Sequence, residues 1–372
     1  MTDPSPPLRP VAPGLWRVTT PLPFRPRSVH AYLARLDDGR FLLVDGGVNT
    51  DDAWAALDAG VREAAGGWER VGAHLVTHMH LDHVGLVRRV REACGARLLM
   101  GALDAERMAH AEADPEDEAE YRSGLVRRGG APEELRRGVE ADRGRANPLS
   151  AFVPADDLLR GEGGGLPGCP GWRWAWTPGH TAGHVSLHRP GDGVLVAGDA
   201  VLPRVTPTIG VNRQRADPVG DYLEALRRLE ALGPALLLPG HGEPLEGGAA
   251  AARIAELRRV TEEETETVAS LVAEGPCTAW EVARRRHPHP EYPPSVLMHA
   301  LRETRAHLER LAILGRVRVE EGGDGADVFR AAGYVAARSR FTPRGPTITL
   351  VGPRPSSTHR LPRSLPWAAS SS

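Results

Sequence analysis

Thr77-His78-Met79-His80-Leu81-Asp82-His83 places four potential metal-binding side chains within six residues. The residues just before it, His74–Thr77, read as a short strand, so the motif starts where a strand ends. On an extended segment alternate side chains share a face, which points His78 and His80 the same way. The turn that follows can swing Asp82 and His83 towards a neighbouring position. Neutral imidazole and carboxylate suit zinc, and the same donor set accepts iron or manganese.

Three more residues of ligand type stand further along, each just after a short apolar run that reads as a strand. They are His180 in Thr177-Pro178-Gly179-His180-Thr181, Asp199 in Gly198-Asp199-Ala200 and His241 in Pro239-Gly240-His241-Gly242. Alone, each would read as an ordinary turn. Glycine beside all three suits loops in which backbone approaches a ligand closely. Asp45, at the end of the run Phe41–Val44 and before Gly46-Gly47, is a candidate for orienting a ligand imidazole, as metal-bound histidines usually require. His184 reads as a structural neighbour of His180. The remaining histidines read as surface or locally satisfied groups.

The surrounding pattern alternates strands with helices and predicts an α/β protein. Strands are expected at Leu15–Thr19, Val29–Leu36, Arg97–Met100, Arg173–Thr177, Val185–His188, Val194–Ala197 and Ala235–Leu238. Helices are expected at Asp51–Ala65, Val84–Glu92 and Asp217–Ala231. The stretch 102–145 is helical, polar and in part acidic, and reads as an insertion. The first twelve residues are proline-rich and read as loose.

The 372 residues carry a formal net charge of -2, so no global field favours nucleic acid or a membrane. The chain contains arginine but no lysine, which excludes Schiff-base chemistry and a phosphate-loop lysine. Cys94, Cys169 and Cys277 are widely spaced, which argues against a disulfide framework or a thiolate zinc knuckle. No apolar run has the length of a membrane span, and the opening MTDPSPPLRP lacks a signal-peptide core. These features predict a cytoplasmic enzyme. No GxSxG-type nucleophile motif is present.

Over about residues 12–250 the motifs and their order resemble the metallo-β-lactamase superfamily. The resemblance implies an αββα sandwich, with His78, His80 and His180 on a first metal, Asp82, His83 and His241 on a second, and Asp199 bridging both. It implies two zinc ions per chain and a bridging hydroxide that attacks a carbonyl carbon or phosphorus, with Asp82 and Asp199 able to accept or relay a proton. His83 together with Asp199 is similar to the glyoxalase II pattern, so a thioester, ester or lactone of a small molecule is the expected substrate.

Residues 251–335 resemble a winged-helix module: a long helical pattern at 250–275, helices at Thr278–Arg286 and Pro294–Leu314, and a β pair at Gly315–Val319 and Asp327–Arg330. Members carrying such a module include single-strand RNA endonucleases, so phosphodiester cleavage is the rival reading. Nearly balanced charge and few aromatics in the module count against RNA. Arg330, Arg338, Arg340, Arg344, Arg354, Arg360 and Arg363 count for it. The module could instead cover the active-site mouth or form a homodimer. Residues 336–372 read as a disordered tail. A non-catalytic metal-binding role is disfavoured by the full ligand set. A flavodiiron-type redox role is disfavoured because His80 stands where those relatives have glutamate. Mononuclear iron dioxygenases share much of the motif and are separable by metal analysis.

Overall fold

The computed structural model describes residues 8–141, 152–289 and 292–333. The expected tail at 336–372, and with it six of the seven C-terminal arginines, lies outside the described residues, as does the end of the 102–145 insertion. No helix of the described residues is long and apolar enough to cross a membrane.

Among the described residues the strands form three sheets. The first runs in spatial order through β1 (Leu8–Ala12), β2 (Leu15–Pro21), β3 (Ser28–Arg35), β4 (Phe41–Val44), β5 (Val71–Val76), β6 (Arg97–Gly101) and β7 (Asp157–Leu159). The second contains β8 (Gly163–Gly165), β9 (Arg173–Trp176), β10 (Val185–Arg189), β11 (Val194–Gly198), β12 (Leu236–Pro239) and β13 (Leu245–Glu246). The third, near the C-terminus, is small: β14 (Cys277–Thr278), β15 (Val317–Glu321) and β16 (Asp327–Ala331), with β16 in the middle.

The helices are α1 (Asp51–Ala65), α2 (Leu81–Val84), α3 (Val87–Cys94), α4 (Ala102–Ala113), α5 (Pro115–Arg128), α6 (Glu133–Ala141), α7 (Pro218–Leu232), α8 (Gly247–Ala273), α9 (Ala279–Arg286) and α10 (Pro294–Ile313).

Side-chain alternation along the strands explains the layering. In β4, Leu42 and Val44 meet Val194, Val196 and Leu238 of the second sheet, while Phe41 and Leu43 face Leu57 and Val61 of α1. In β11, Val194 and Val196 face inward, and Leu195 and Ala197 face α7 and α8. Both sheets are therefore covered on two faces, which is why these strands are apolar throughout. The order of layers is helix, sheet, sheet, helix, a mixed α/β architecture.

Two sequence expectations need correction. Residues 8–12 are not loose: they pair antiparallel with β2 at the sheet edge, Leu8 opposite Val18 and Pro10 opposite Trp16. An edge strand tolerates proline because one side of its ladder needs no donor. The single helix expected at Val84–Glu92 is two helices, α2 and α3. They part at Gly85-Leu86, where Leu86 N–H donates to Gly47 O (3.1 Å) and Gly46 N–H to His83 O (3.1 Å). The turn after β4 thus grips the histidine motif directly.

The long helix α8 serves two cores. Ala250, Ile254 and Leu257 pack with α7, whereas Val268 and Val272 pack with Val282 of α9 and with Leu301, Leu308 and Leu311 of α10. Val126 and Leu135 of the α5–α6 insertion join this second core. The insertion and the C-terminal helices therefore cover one another.

The two sheets touch backbone to backbone near the site. Val185 N–H donates to Thr77 O (2.9 Å). Nearby, a Cβ on Gly101 would lie 1.8 Å from Gly183 O. Gly101→Ala is expected to lower the unfolding free energy by about 1–3 kcal/mol, the usual cost of overpacking. A denaturant titration giving the wild-type midpoint would contradict this seam.

Candidate metal centre

Two pairs of parallel strands set up the site. β4 and β5 run side by side with Val44 opposite Leu75, so Asp45 and the Thr77–His83 loop emerge together. β11 and β12 do the same, with Gly198 opposite Pro239, so Asp199 and Gly240-His241 emerge together. The turn between β9 and β10 supplies His180. All these loops leave carboxyl ends of strands at one edge of the sandwich, the usual location of sites in α/β sheets.

The seven side chains singled out from sequence converge here. His78 Nε2 lies 3.1 Å from His80 Nδ1, which lies 2.8 Å from His180 Nε2. Beside this triad, His241 Nε2 lies 3.2 Å from an Asp82 carboxylate oxygen. Asp199 stands between the two groups: Oδ1 is 3.5 Å from His83 Nε2, and Oδ2 is 3.6 Å from both His180 Nε2 and His241 Nε2. His78–His80–His180 and Asp82–His83–His241 each form a set compact enough to hold a cation.

The far sides of the rings fix which nitrogens face the centre. His180 Nδ1 donates to Thr208 O (2.9 Å) and His241 Nδ1 to Ser28 O (2.8 Å). His83 Nδ1 donates to Asp45 Oδ2 (2.9 Å). Thr77 Oγ1 donates to the Asp45 carboxylate, so it accepts from His78 Nδ1 (3.1 Å). In its neutral form each of these rings thereby turns an unprotonated Nε2 towards its neighbours. Buried His83 Nε2 and Asp199 Oδ1 have no hydrogen-bond partner. Lone pairs pressed together, with orphaned buried acceptors among them, are what a cation requires. Zinc bonds of about 2.0–2.1 Å imply tetrahedral N···N edges of about 3.3 Å, so the 2.8 and 3.1 Å separations need only slight widening.

Electrostatics separates the two sets: without a cation the first is held neutral, while the carboxylates around the second favour protonated rings, His241 included. Burial, reinforced by neighbouring imidazoles, holds His78 and His80 far below the ordinary histidine range. His83 goes the other way: burial opposes its charge, but the carboxylates of Asp199, Asp45 and Asp82 prevail. Asp199 is likewise held well below the usual carboxylate range, since His241 and His83 outweigh its burial.

Several supporting residues carry the ligand loops. Asp45 accepts from Thr77 N–H (2.7 Å) as well as from His83, and it does so from a left-handed backbone (φ 59°). His184 is not placed as a ligand. Its Nδ1 bonds Thr177 Oγ1 (2.8 Å) and its Nε2 accepts from Asp199 N–H (3.1 Å), and burial lowers its pKa to about 3. His30, read as an ordinary histidine, is buried and bridges Thr19 Oγ1 (3.1 Å) to Gly242 O (3.0 Å), beside His241.

Asp104 was not anticipated from sequence. From the first turn of α4 it accepts Met79 N–H (2.9 Å), Thr181 Oγ1–H (2.6 Å) and Gly183 N–H (2.6 Å). It ties the HxH loop to the His180 loop. Burial pushes its pKa up to about 6 despite these bonds. Its position straight after β6 was the available signal, but an acidic residue in a helix's first turn is too common to single out.

A further cluster, Glu264, Glu303 and His307, lies among α8 and α10. Arg286 stands 3.9 Å from Glu264 and already supplies positive charge, so this is a buried ion network. Cys169, Cys277 and Cys94 pack in three different apolar cores, away from the centre.

Comparison with known proteins agrees with this geometry. The family model for the metallo-beta-lactamase superfamily matches residues 24–241. A metallo-beta-lactamase family protein of Thermus thermophilus superimposes with a TM-score of 0.70 at 32% identity, over 86% of this chain and 99% of that one. A beta-lactamase domain protein of Burkholderia ambifaria gives a TM-score of 0.71 at 29% identity, over 89% and 95%. The chain belongs to the metallo-beta-lactamase superfamily. In sequence it is 28% identical over 308 residues to the probable metallo-hydrolase YqjP of Bacillus subtilis, covering 79% of this chain and 91% of that protein. It is 26% identical over 209 residues to a hydroxyacylglutathione hydrolase of Cereibacter sphaeroides, covering 55% and 62%.

Asp45→Ala removes the acceptor that orients His83. Metal affinity is expected to fall about 10- to 100-fold, the usual effect of losing such a partner. Chelator competition on the purified protein measures it, and unchanged affinity would remove Asp45 from this role.

Proposed function

We propose that the chain is a dinuclear metal-dependent hydrolase with a glyoxalase II-like site, acting on a thioester, ester or lactone. The observation that carries this reading is the pair of three-residue sets flanking one carboxylate, with orphaned His83 Nε2 and Asp199 Oδ1 between them. His78, His80 and His180 would hold one ion, Asp82, His83 and His241 the other, and Asp199 would touch both. Zinc is the expected metal, with iron or manganese fitting the same donors.

When bound, two such ions acidify water from a pKa of ~15.7 towards about 7 and draw electron density from a scissile carbonyl. The residues of the chain do the rest. Asp82 and Asp199 would be the carboxylates placed to accept or relay a proton from the attacking water at a carboxylate oxygen. Asp45, His184 and Asp104 keep the surrounding rings and loops in register, so little reorganisation is needed during reaction. No cysteine of the described residues is near enough to act as nucleophile, which favours water. The hydroxyacylglutathione hydrolases among the similar proteins support thioesters within this class.

The C-terminal unit of α8, α9 and α10 with β14–β16 is proposed to be a winged-helix module, with a domain boundary near residue 250. RNA cleavage ranks second. Much of the module's arginine is already engaged: Arg285 by Glu274, Arg305 by Glu309 and Asp327, Arg316 by Glu266 and Arg330 by Glu320. That leaves little free positive charge for a phosphate backbone.

His80→Ala is expected to lose most bound metal and nearly all hydrolysis. Metal quantification after chelation and repletion, with a panel of thioesters, lactones, aryl phosphodiesters and short RNA, tests both parts. Wild-type turnover by the variant would defeat the site assignment. RNA cleavage without thioester or lactone turnover would promote the second reading.

A further inference from the structure

The insertion and the C-terminal helix α10 bring an excess of guanidinium groups to one side of the centre. The loop that anchors His180 through Thr208 O continues to Val211, and Val211 O accepts from Arg302 Nη2 of α10 (3.2 Å). A Cβ on Gly210 would lie 3.2 Å from Arg302 Cβ and 3.5 Å from its Nε, so the side chain lies flat on this loop. His299 stands one turn earlier on the same helix face. Partial burial, then the charges of Arg302 and His180, lower its pKa.

Helix α4 also borders the centre. Asp104 on it grips the His78–His80 and His180 loops, and Arg107 follows one turn later. Arg107 pairs with Glu118 through Nη2, while its buried Nη1 has no hydrogen-bond partner. Tyr121 of α5 lies beside Arg107. The Arg107 and Arg213 guanidiniums sit 5.5 Å and 4.9 Å from its ring centroid. Burial raises its pKa, and the charges of Arg302 and Arg107 oppose this. Its hydroxyl has no hydrogen-bond partner among the described residues. Arg213 is paired with Asp117. Arg302 has no carboxylate within ion-pair distance among the described residues. Burial lowers its pKa, Tyr121 and Glu118 oppose this, and Arg107 and Arg122 add to it, so Arg302 is a desolvated cation in a field of two further guanidiniums and one carboxylate.

A guanidinium in such surroundings gains most from an incoming oxyanion, which it meets with paired N–H donors. We propose that Arg302, Arg107 and Tyr121 form an anion subsite beside the His180 edge of the centre, selecting substrates that carry a carboxylate or phosphate away from the scissile bond. The insertion and α10 are thus specificity elements, each contributing one arginine, and Tyr121 lends a hydroxyl donor. The inference rests on the hydrolase reading for the scissile bond, but anion binding can be measured without turnover.

The probe is a non-hydrolysable alkyl thioether carrying a terminal carboxylate, compared by calorimetry with its neutral carboxamide on the metal-loaded full chain. A third thioether ending in a phosphate monoester distinguishes the two anions. The wild type is expected to bind the better anion at least about tenfold more tightly than the carboxamide. In Arg302→Met and in Arg107→Met that ratio should fall towards one, and Arg302→Lys should recover part of it. If Arg107→Met fails to fold for want of its Glu118 pair, Tyr121→Phe serves as the second variant, with a smaller fall in the same ratio. Equal binding of anion and carboxamide by the wild type, no binding of either, or a ratio that survives the substitutions would overturn the subsite. Failure of the hydrolase reading shows separately, as absent turnover with metal and anion binding intact.

Discussion

Lone pairs repel, and this structure crowds them. Unprotonated imidazole nitrogens and carboxylate oxygens approach within 2.8–3.6 Å at one edge of the sandwich. Such crowding is tolerable only around positive charge, and it must be enforced from outside. The enforcement is visible in the hydrogen bonds behind the rings. Asp45, Thr208 O and Ser28 O each take the ring proton that would otherwise point inward. His184 holds the main chain of Asp199. Hydrogen bonding by the fold has thus fixed the tautomers, and the donor set follows from them.

The same enforcement explains why the two halves of the sandwich meet so tightly. Ligands come from both sheets, so their relative position must be fixed to fractions of an ångström. Gly101 and Gly183 allow the two backbones to touch, and Asp104 then bonds to both sides of the contact. A side chain at either glycine would separate donors that must converge. Around this rigid base the variable parts are helical: α4 to α6 on one flank and α10 on the other, sharing one apolar core through Leu135 and Leu301.

What could be read from the sequence divides along a physical line. The meeting of His78, His80, Asp82, His83, His180, Asp199 and His241 was legible because each follows an apolar strand, and strand ends gather at one edge. Long elements with strong periodicity were legible too: α1 was expected at its observed bounds, with Thr50 capping it. The short edge pieces β1, β7, β8 and β13 were not, because so few residues carry no period and their pairing is decided by distant partners. Proline at position 10 even suggested the opposite. Asp104 and His30 escaped notice for a related reason. Their importance lies in what they bond across the chain, and an isolated Asp or His carries no trace of that. The proposed anion subsite was equally hidden, since arginine is abundant throughout and only the fold shows that Arg302 has no carboxylate within ion-pair distance among the described residues.

Helix α8 has 27 residues and so spans about 40 Å. Near its start Arg253 donates to Leu202 O and Val205 O (both 2.7 Å), clasping the segment that leaves Asp199. Near its end Val268 and Val272 are embedded in the C-terminal unit. One unbroken rod therefore joins the segment after Asp199 to the C-terminal helices. A push on the far end, from a bound molecule or a neighbouring protein, would be felt as a tug on the loop beside the candidate metal centre, with no hinge in between to absorb it.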